Sequence, residues 1–367
     1  MIPRSKPEYL YVHVPFCASI CYYCDFAHTV YQKERAEKWL DALSKEIEHK
    51  QINRRLKTIY IGGGTPVSLT EEQLERLLNL LQPYSACVKE YTCEINPETL
   101  NEEKAKIMAA HGINRVSIGF QCVQDELLKM LGRRHSAKDV EHTVSLLRAQ
   151  GIDNISLDLM YSLPHQDMAM LKESITAALA MDPQHLSLYS LSVEENTVFG
   201  RKGVKPLDEE TEADMYEYIC ETLPDCGYEQ YEISNFARPG YLSLHNRAYW
   251  TYRDFYGLSC GAAGKEGYKR YEHSASLKEY LEDPLAVTDI PLSKEDAMFE
   301  MVMMNLRLRE GMSLALFEET FQTSFEEAFA GRYEQLISQG QLVIEQGMLK
   351  CPETSWHLLN SVLTGLL

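Results

Sequence analysis

Three cysteines, Cys17, Cys21 and Cys24, stand within eight residues in the stretch VPFCASICYYCDF. Thiolates are soft ligands, and three so close together point to a metal centre. A structural zinc ion normally takes four protein ligands in a closed tetrahedron, so zinc here would need a histidine such as His13 or His28 to complete it. A redox pair made of Cys21 and Cys24 would leave Cys17 without a role. A [4Fe–4S] cluster held by three thiolates keeps one iron open, whereas an electron-transfer cluster usually takes four. An open iron can chelate the amino and carboxylate groups of S-adenosylmethionine and set the sulfonium beside the cluster for one-electron cleavage.

Such a loop needs elements to position it. Short β-branched and aromatic runs predict strands over 9–16, 57–63, 90–95, 115–121, 155–161 and 185–191. Amphipathic stretches predict helices near 31–50, 70–81, 99–111, 136–150, 167–181 and 208–223, with Thr70, Asn101 and Ser136 as N-caps. The alternation implies an α/β fold with a parallel sheet, a partial (β/α)6 TIM-like barrel over 1–235. Ligands on such folds bind at the carboxyl ends of the strands, where the cysteine loop falls. Residues 236–290 read as a connecting segment, and 291–367 as a small helical or winged-helix-like domain with a hairpin at its QG turn.

Composition narrows the function classes. Thirty-six Lys and Arg against 54 Asp and Glu give a net charge of −18, which disfavours nonspecific nucleic-acid binding. The first ten residues lack the apolar run of a signal peptide, and no apolar run approaches the roughly 20 residues of a membrane span, so the chain is expected to be cytoplasmic and not membrane-integral. It would act as a monomer or homodimer. Cysteines 87, 93, 122, 220, 226, 260 and 351 show no ligand spacing and read as small buried residues, with Cys351 open to exposure.

Further motifs carry a family resemblance. IGGGTP (61–66) follows the second strand, and its glycines allow backbone to approach a ligand closely. With C-x3-C-x2-C one βα unit earlier, the chain resembles the radical S-adenosylmethionine superfamily, and within it the oxygen-independent coproporphyrinogen III oxidase-like family. The resemblance implies a [4Fe–4S] cluster on Cys17, Cys21 and Cys24. It also implies S-adenosylmethionine contacts from Tyr11, Tyr23, Gly63, Gly64, Thr65, Glu94, Gln121, Arg133 and Asp158.

The oxidases carry a fourth cysteine two residues after the third, where this chain has Phe26, and a longer extension before the residue matching Tyr11. The paralogous HemW-type haem chaperones share the phenylalanine and the motif H-N-x-x-Y-W, here HNRAYW (245–250). That resemblance implies haem as a third ligand, His245 as its candidate iron ligand and Tyr249 and Trp250 as its wall. Delivery to haem-dependent, respiratory membrane proteins is the implied function. The alternative is a radical enzyme acting on a tetrapyrrole, so whether the chain is itself an enzyme stays open. Residues 254–267, rich in small side chains, resemble a segment that lines a second ligand site.

Overall fold

The structure, a computed structural model, describes residues 6–367. Six strands run parallel: β1 (Tyr9–Val14), β2 (Thr58–Gly63), β3 (Glu90–Ile95), β4 (Arg115–Gln121), β5 (Asn154–Tyr161) and β6 (His185–Ser190). Between them lie α1 (Lys33–Lys50), α2 (Glu71–Leu81), α3 (Glu102–Ala110), α4 (Ala137–Ala149) and α5 (Met168–Ala180), and α6 (Glu209–Asp225) follows β6. Several helix starts have a local cause. Thr70 and Gln73 form a reciprocal capping box on α2, and Asn101 Oδ1 accepts from Lys104 N–H at 2.9 Å on α3. Caps of this kind stabilise by about 1 kcal/mol each.

Alternation along the strands assigns their faces. Ile155, Leu157, Leu159 and Tyr161 of β5 share one core with Leu10, Val12, Ile59, Ile61, Val116 and Ile118, and with Leu40, Leu74, Leu77 and Leu147 of the helices. The intervening residues, such as Ser117, Asp158 and Ser187, face a cavity inside the curled sheet. The helix-facing side is therefore apolar and the bore polar, each strand separating the two by its period of two.

Three further strands complete the sheet. β7 (Glu229–Glu232) and β8 (Asn235–Ala237) extend it antiparallel beyond β6, and β9 (Tyr256–Leu258) adds a parallel edge beside β1. The sheet thus runs past residue 235, and the segment expected as a connector supplies one of its edges. A buried carboxylate fastens that segment. Glu46 of α1 accepts from Ser259 N–H at 3.0 Å and from the Tyr280 hydroxyl at 2.6 Å, and lies 2.9 Å from His273 Nε2.

The chain then forms α7 (Leu244–Trp250), α8 (Leu277–Glu282) and α9 (Lys294–Asn305), the last opening a C-terminal helical domain. This domain has its own core, in which Phe317, Phe321, Phe325 and Phe329 pack with Val302 and Trp356. Strands Val343–Glu345 and Met348–Lys350 form the expected hairpin, and Met312–Ser313 pairs with its second strand. The expected burial needs correction at Cys87 and Cys226, which are exposed in turns after their helices; Cys351 is buried in the C-terminal core, in line with its reading as a small buried residue.

Candidate metal and cofactor site

The cysteine loop leaves β1 and returns through a short parallel ribbon, Phe16–Cys17 beside Thr29–Val30. Thr29 N–H donates to Pro15 O at 2.7 Å and Tyr31 N–H to Cys17 O at 2.9 Å. Midway, Tyr22 N–H donates to Leu131 O at 2.9 Å, and Phe199 N–H donates to Tyr22 O at the same distance. His13 holds the far end. Its Nε2 lies 2.6 Å from Ala27 O, an acceptor only, so Nε2 carries the proton and Nδ1 accepts from the Tyr11 hydroxyl at 2.9 Å.

Cys17, Cys21 and Cys24 are free thiols lining one cavity of about 450 Å³. Burial pushes Cys17 up to about 12 and Cys24 up to about 11, so ligation to a cation is what would make them thiolates. Donors are already in place: Thr65 Oγ1 lies 3.8 Å from Cys17 Sγ, and Arg133 Nη1 3.4 Å from Cys21 Sγ. Three thiols in one cavity match the donor set of a [4Fe–4S] cluster that leaves one iron open, whereas a structural zinc ion takes four protein ligands.

Bare backbone lines the same cavity at Gly63 and Gly64. Gly63 has φ +102°, and a Cβ there would sit 2.3 Å from His13 Cε1; one on Gly64 would sit 2.7 Å from Phe16 O. Glu94 accepts from the Tyr60 hydroxyl at 2.6 Å and from Gly63 N–H at 2.9 Å, yet desolvation dominates and lifts it to about 7. Asp158 accepts from Ser117 Oγ at 2.9 Å, and burial raises its pKa as well.

Arg133 Nη2 donates to Gly119 O at 2.6 Å. Burial works against its charge, but the neighbouring Tyr23 and Cys21 outweigh that and keep it protonated. Gln121 reaches the cavity because the β4–β5 register shifts between Gly119 and Gln121, where φ is +62°.

The fold thus gathers Tyr23, Gly63, Gly64, Thr65, Glu94, Gln121, Arg133 and Asp158 around the three cysteines. Phe26 lies at the same mouth and is 61% exposed. Tyr11 stands behind this wall, its ring 6.0 Å from that of Tyr60, and reaches the loop only through His13. Arg115, Tyr60, Ser187 and Asn246 also line the cavity and were not singled out from sequence. Arg115 is buried with its Nε unpartnered.

His245, the expected iron ligand, lies buried in this structure. It is 1% exposed, with Nδ1 2.6 Å from Thr58 Oγ1 and Nε2 2.8 Å from the Tyr249 hydroxyl. Burial, reinforced by the charge of Arg115, pulls its pKa down to about 3, so the ring is neutral and both nitrogens are engaged. It is Asn246 of this motif that faces the cysteine cavity. The small-residue segment supplies a sheet edge and, through Phe255, Ala263 and Lys265, part of the lining of a second cavity. Tyr256–Leu258 forms that edge, and Gly261 packs on Ala27 of the cysteine loop.

The geometry agrees with comparisons to known proteins. Residues 11–178 match the Radical SAM superfamily, and residues 292–358 match the HemN C-terminal domain. Over 98% of its length the chain is 37% identical to the heme chaperone HemW of Lactococcus lactis subsp. lactis (strain IL1403), covering 97% of that protein. The chain belongs to the HemW-type branch of the radical SAM superfamily. HemW of Bacillus subtilis (strain 168) is 39% identical over 90% of this chain and 91% of its own length.

The HemW-type fold extends to a solved structure, the coproporphyrinogen III oxidase HemN from Escherichia coli, a radical SAM enzyme. That structure superposes with a TM-score of 0.86 at 22% identity, over 98% of this chain and 90% of that one. At that identity the likeness concerns the fold. No helix of the described residues is long and apolar enough to cross a membrane.

Proposed function

We propose that this HemW-type chain is a haem chaperone, acting from the cytoplasm to deliver haem to haem-dependent proteins of the respiratory membrane. Cys17, Cys21 and Cys24 would hold the [4Fe–4S] cluster. The polar wall from Tyr23 through Gly63, Gly64, Thr65, Glu94, Gln121, Arg133 and Asp158 would hold S-adenosylmethionine. When bound, that pair supplies one-electron chemistry. The chain's own part is to exclude solvent, fix the thiols by backbone hydrogen bonds and keep Glu94 and Arg133 aimed into the cavity.

The observation that carries the reading is Phe26. It sits at the cavity mouth two residues after Cys24, where the oxidases resembled in sequence hold a further thiol, and a phenyl ring offers neither a ligand nor a proton.

The test is anaerobic reconstitution with iron and sulfide, followed by haem titration and transfer to an apo-cytochrome. Stoichiometric haem binding and transfer, with no consumption of coproporphyrinogen III by the reduced protein, is the expected result. Turnover of coproporphyrinogen III with matching release of 5′-deoxyadenosine and methionine would replace the chaperone by the enzyme.

A further inference from the structure

A second cavity, of about 300 Å³, opens where the barrel meets the C-terminal domain. Tyr11 of β1, Tyr249 and Trp250 at the end of α7, Phe255, and Met304 of α9 line it. The rings of Tyr249 and Phe255 meet edge to face at 4.6 Å, and Arg307 stacks 4.6 Å over Trp250 from outside. The indole N–H of Trp250 is buried without a partner. This lining is almost wholly apolar and aromatic, which suits a flat hydrophobic ligand.

The rim is cationic. Lys265 is bound to Asp254 at 2.7 Å and Arg270 to Glu300 at 2.8 Å, whereas the exposed Arg253 enters no ion pair among the described residues. A ligand with an apolar edge and an anionic edge would match both parts of the site.

We infer that this cavity receives haem edge-on, with Met304 as its iron ligand and Arg253 at its carboxylates. The inference rests on the haem-binding reading above and names the site for it. Elimination picks the ligand. Each lining tyrosine points its hydroxyl at an acceptor of its own: Tyr11 at His13, Tyr249 at His245, and Tyr252 at Glu300. His245 has no free nitrogen. Met304, half-buried on α9, brings a soft thioether, a donor type that binds haem iron. At about 300 Å³ the cavity is at the small end for ligand sites, so the macrocycle's carboxylate edge would stay outside, beside Arg253.

The test uses the full chain and three probes: haem, haem dimethyl ester and iron-free protoporphyrin. Met304→Leu conserves volume and removes the sulfur. It should weaken haem at least about tenfold, the scale on which iron-site partners act, and abolish the sulfur-to-iron charge-transfer band. Protoporphyrin affinity should stay unchanged. Arg253→Glu, at an exposed position, should weaken haem about threefold to tenfold and leave the dimethyl ester untouched. If the parent protein binds haem and neither variant alters affinity or spectrum, the site is wrong and the chaperone reading stands. If the parent binds no haem, both fall.

Discussion

The Tyr60 hydroxyl donates to Glu94 Oε1 at 2.6 Å, inside the cavity that the three cysteines line. The bond does not make Glu94 acidic, because desolvation lifts the carboxyl from its ordinary 4.5 to about 7. Between those values the native state keeps a proton that the unfolded chain has released. Stability from this group is therefore fully present below pH 4.5 and is lost as pH rises through 7. His245 acts in the opposite sense: with its pKa pulled from 6.5 to about 3, its contribution is present above pH 6.5 and is lost as pH falls towards 3. In urea unfolding of cluster-free protein, Glu94→Gln should gain stability relative to the parent as pH rises from about 5 to about 7. Parallel curves across that window would exclude a buried protonated Glu94.

The cysteines should divide cleanly into two sets. Cys17→Ser, Cys21→Ser and Cys24→Ser should each lose most iron and sulfide on anaerobic reconstitution, since each thiol is expected to bind a separate iron. Cys87→Ser, at an exposed turn, should retain the parent's content. Full iron retention in any of the first three would remove that residue from the ligand set.

Gly63→Ala combines two penalties. Its φ of +102° disfavours any side chain, and the new methyl would meet the His13 ring that pins the cysteine loop. A loss of about 1–3 kcal/mol in unfolding free energy is expected, together with weakened S-adenosylmethionine binding by calorimetry. Unchanged affinity would mean that the backbone at this strand end does not shape the cofactor wall.

Removing His245 should act through folding. His245→Ala leaves Thr58 Oγ1 and the Tyr249 hydroxyl without their shared partner, at a cost of about 2–4 kcal/mol measured by denaturant titration. Haem affinity measured well below the melting transition should change less than in Met304→Leu. The reverse order would return the histidine to the role of ligand.

Much of this arrangement was legible before the structure. The strand runs 90–95 and 115–121 coincide with β3 and β4, and α2 begins at the residue after Thr70, because period-two patterns and capping residues are local signals. The helix expected to stop at 223, just before Pro224, continues to Asp225. Pro224 lies inside the helix and removes one i→i−4 hydrogen bond there, but only one residue of the helix follows it.

What stayed hidden was nonlocal. Nothing in the sequence near Tyr256 announces that it pairs with Leu10, and nothing in HNRAYW says that Asn246, not His245, faces the cysteines. Arg115 reads as an ordinary strand-start cation until the strands curl and leave it buried in the bore.

The opposed faces of the barrel strands have a consequence for how such a chain can change over time. Along β5, Ile155, Leu157 and Leu159 pack in the core with the helices, while Asp158 between them faces the cavity. Selection on binding and selection on folding therefore act on interleaved but separate positions. A lineage can rewrite the bore residue by residue while its scaffold persists, whereas a single inserted residue within a strand would exchange the two vocabularies and ruin both at once.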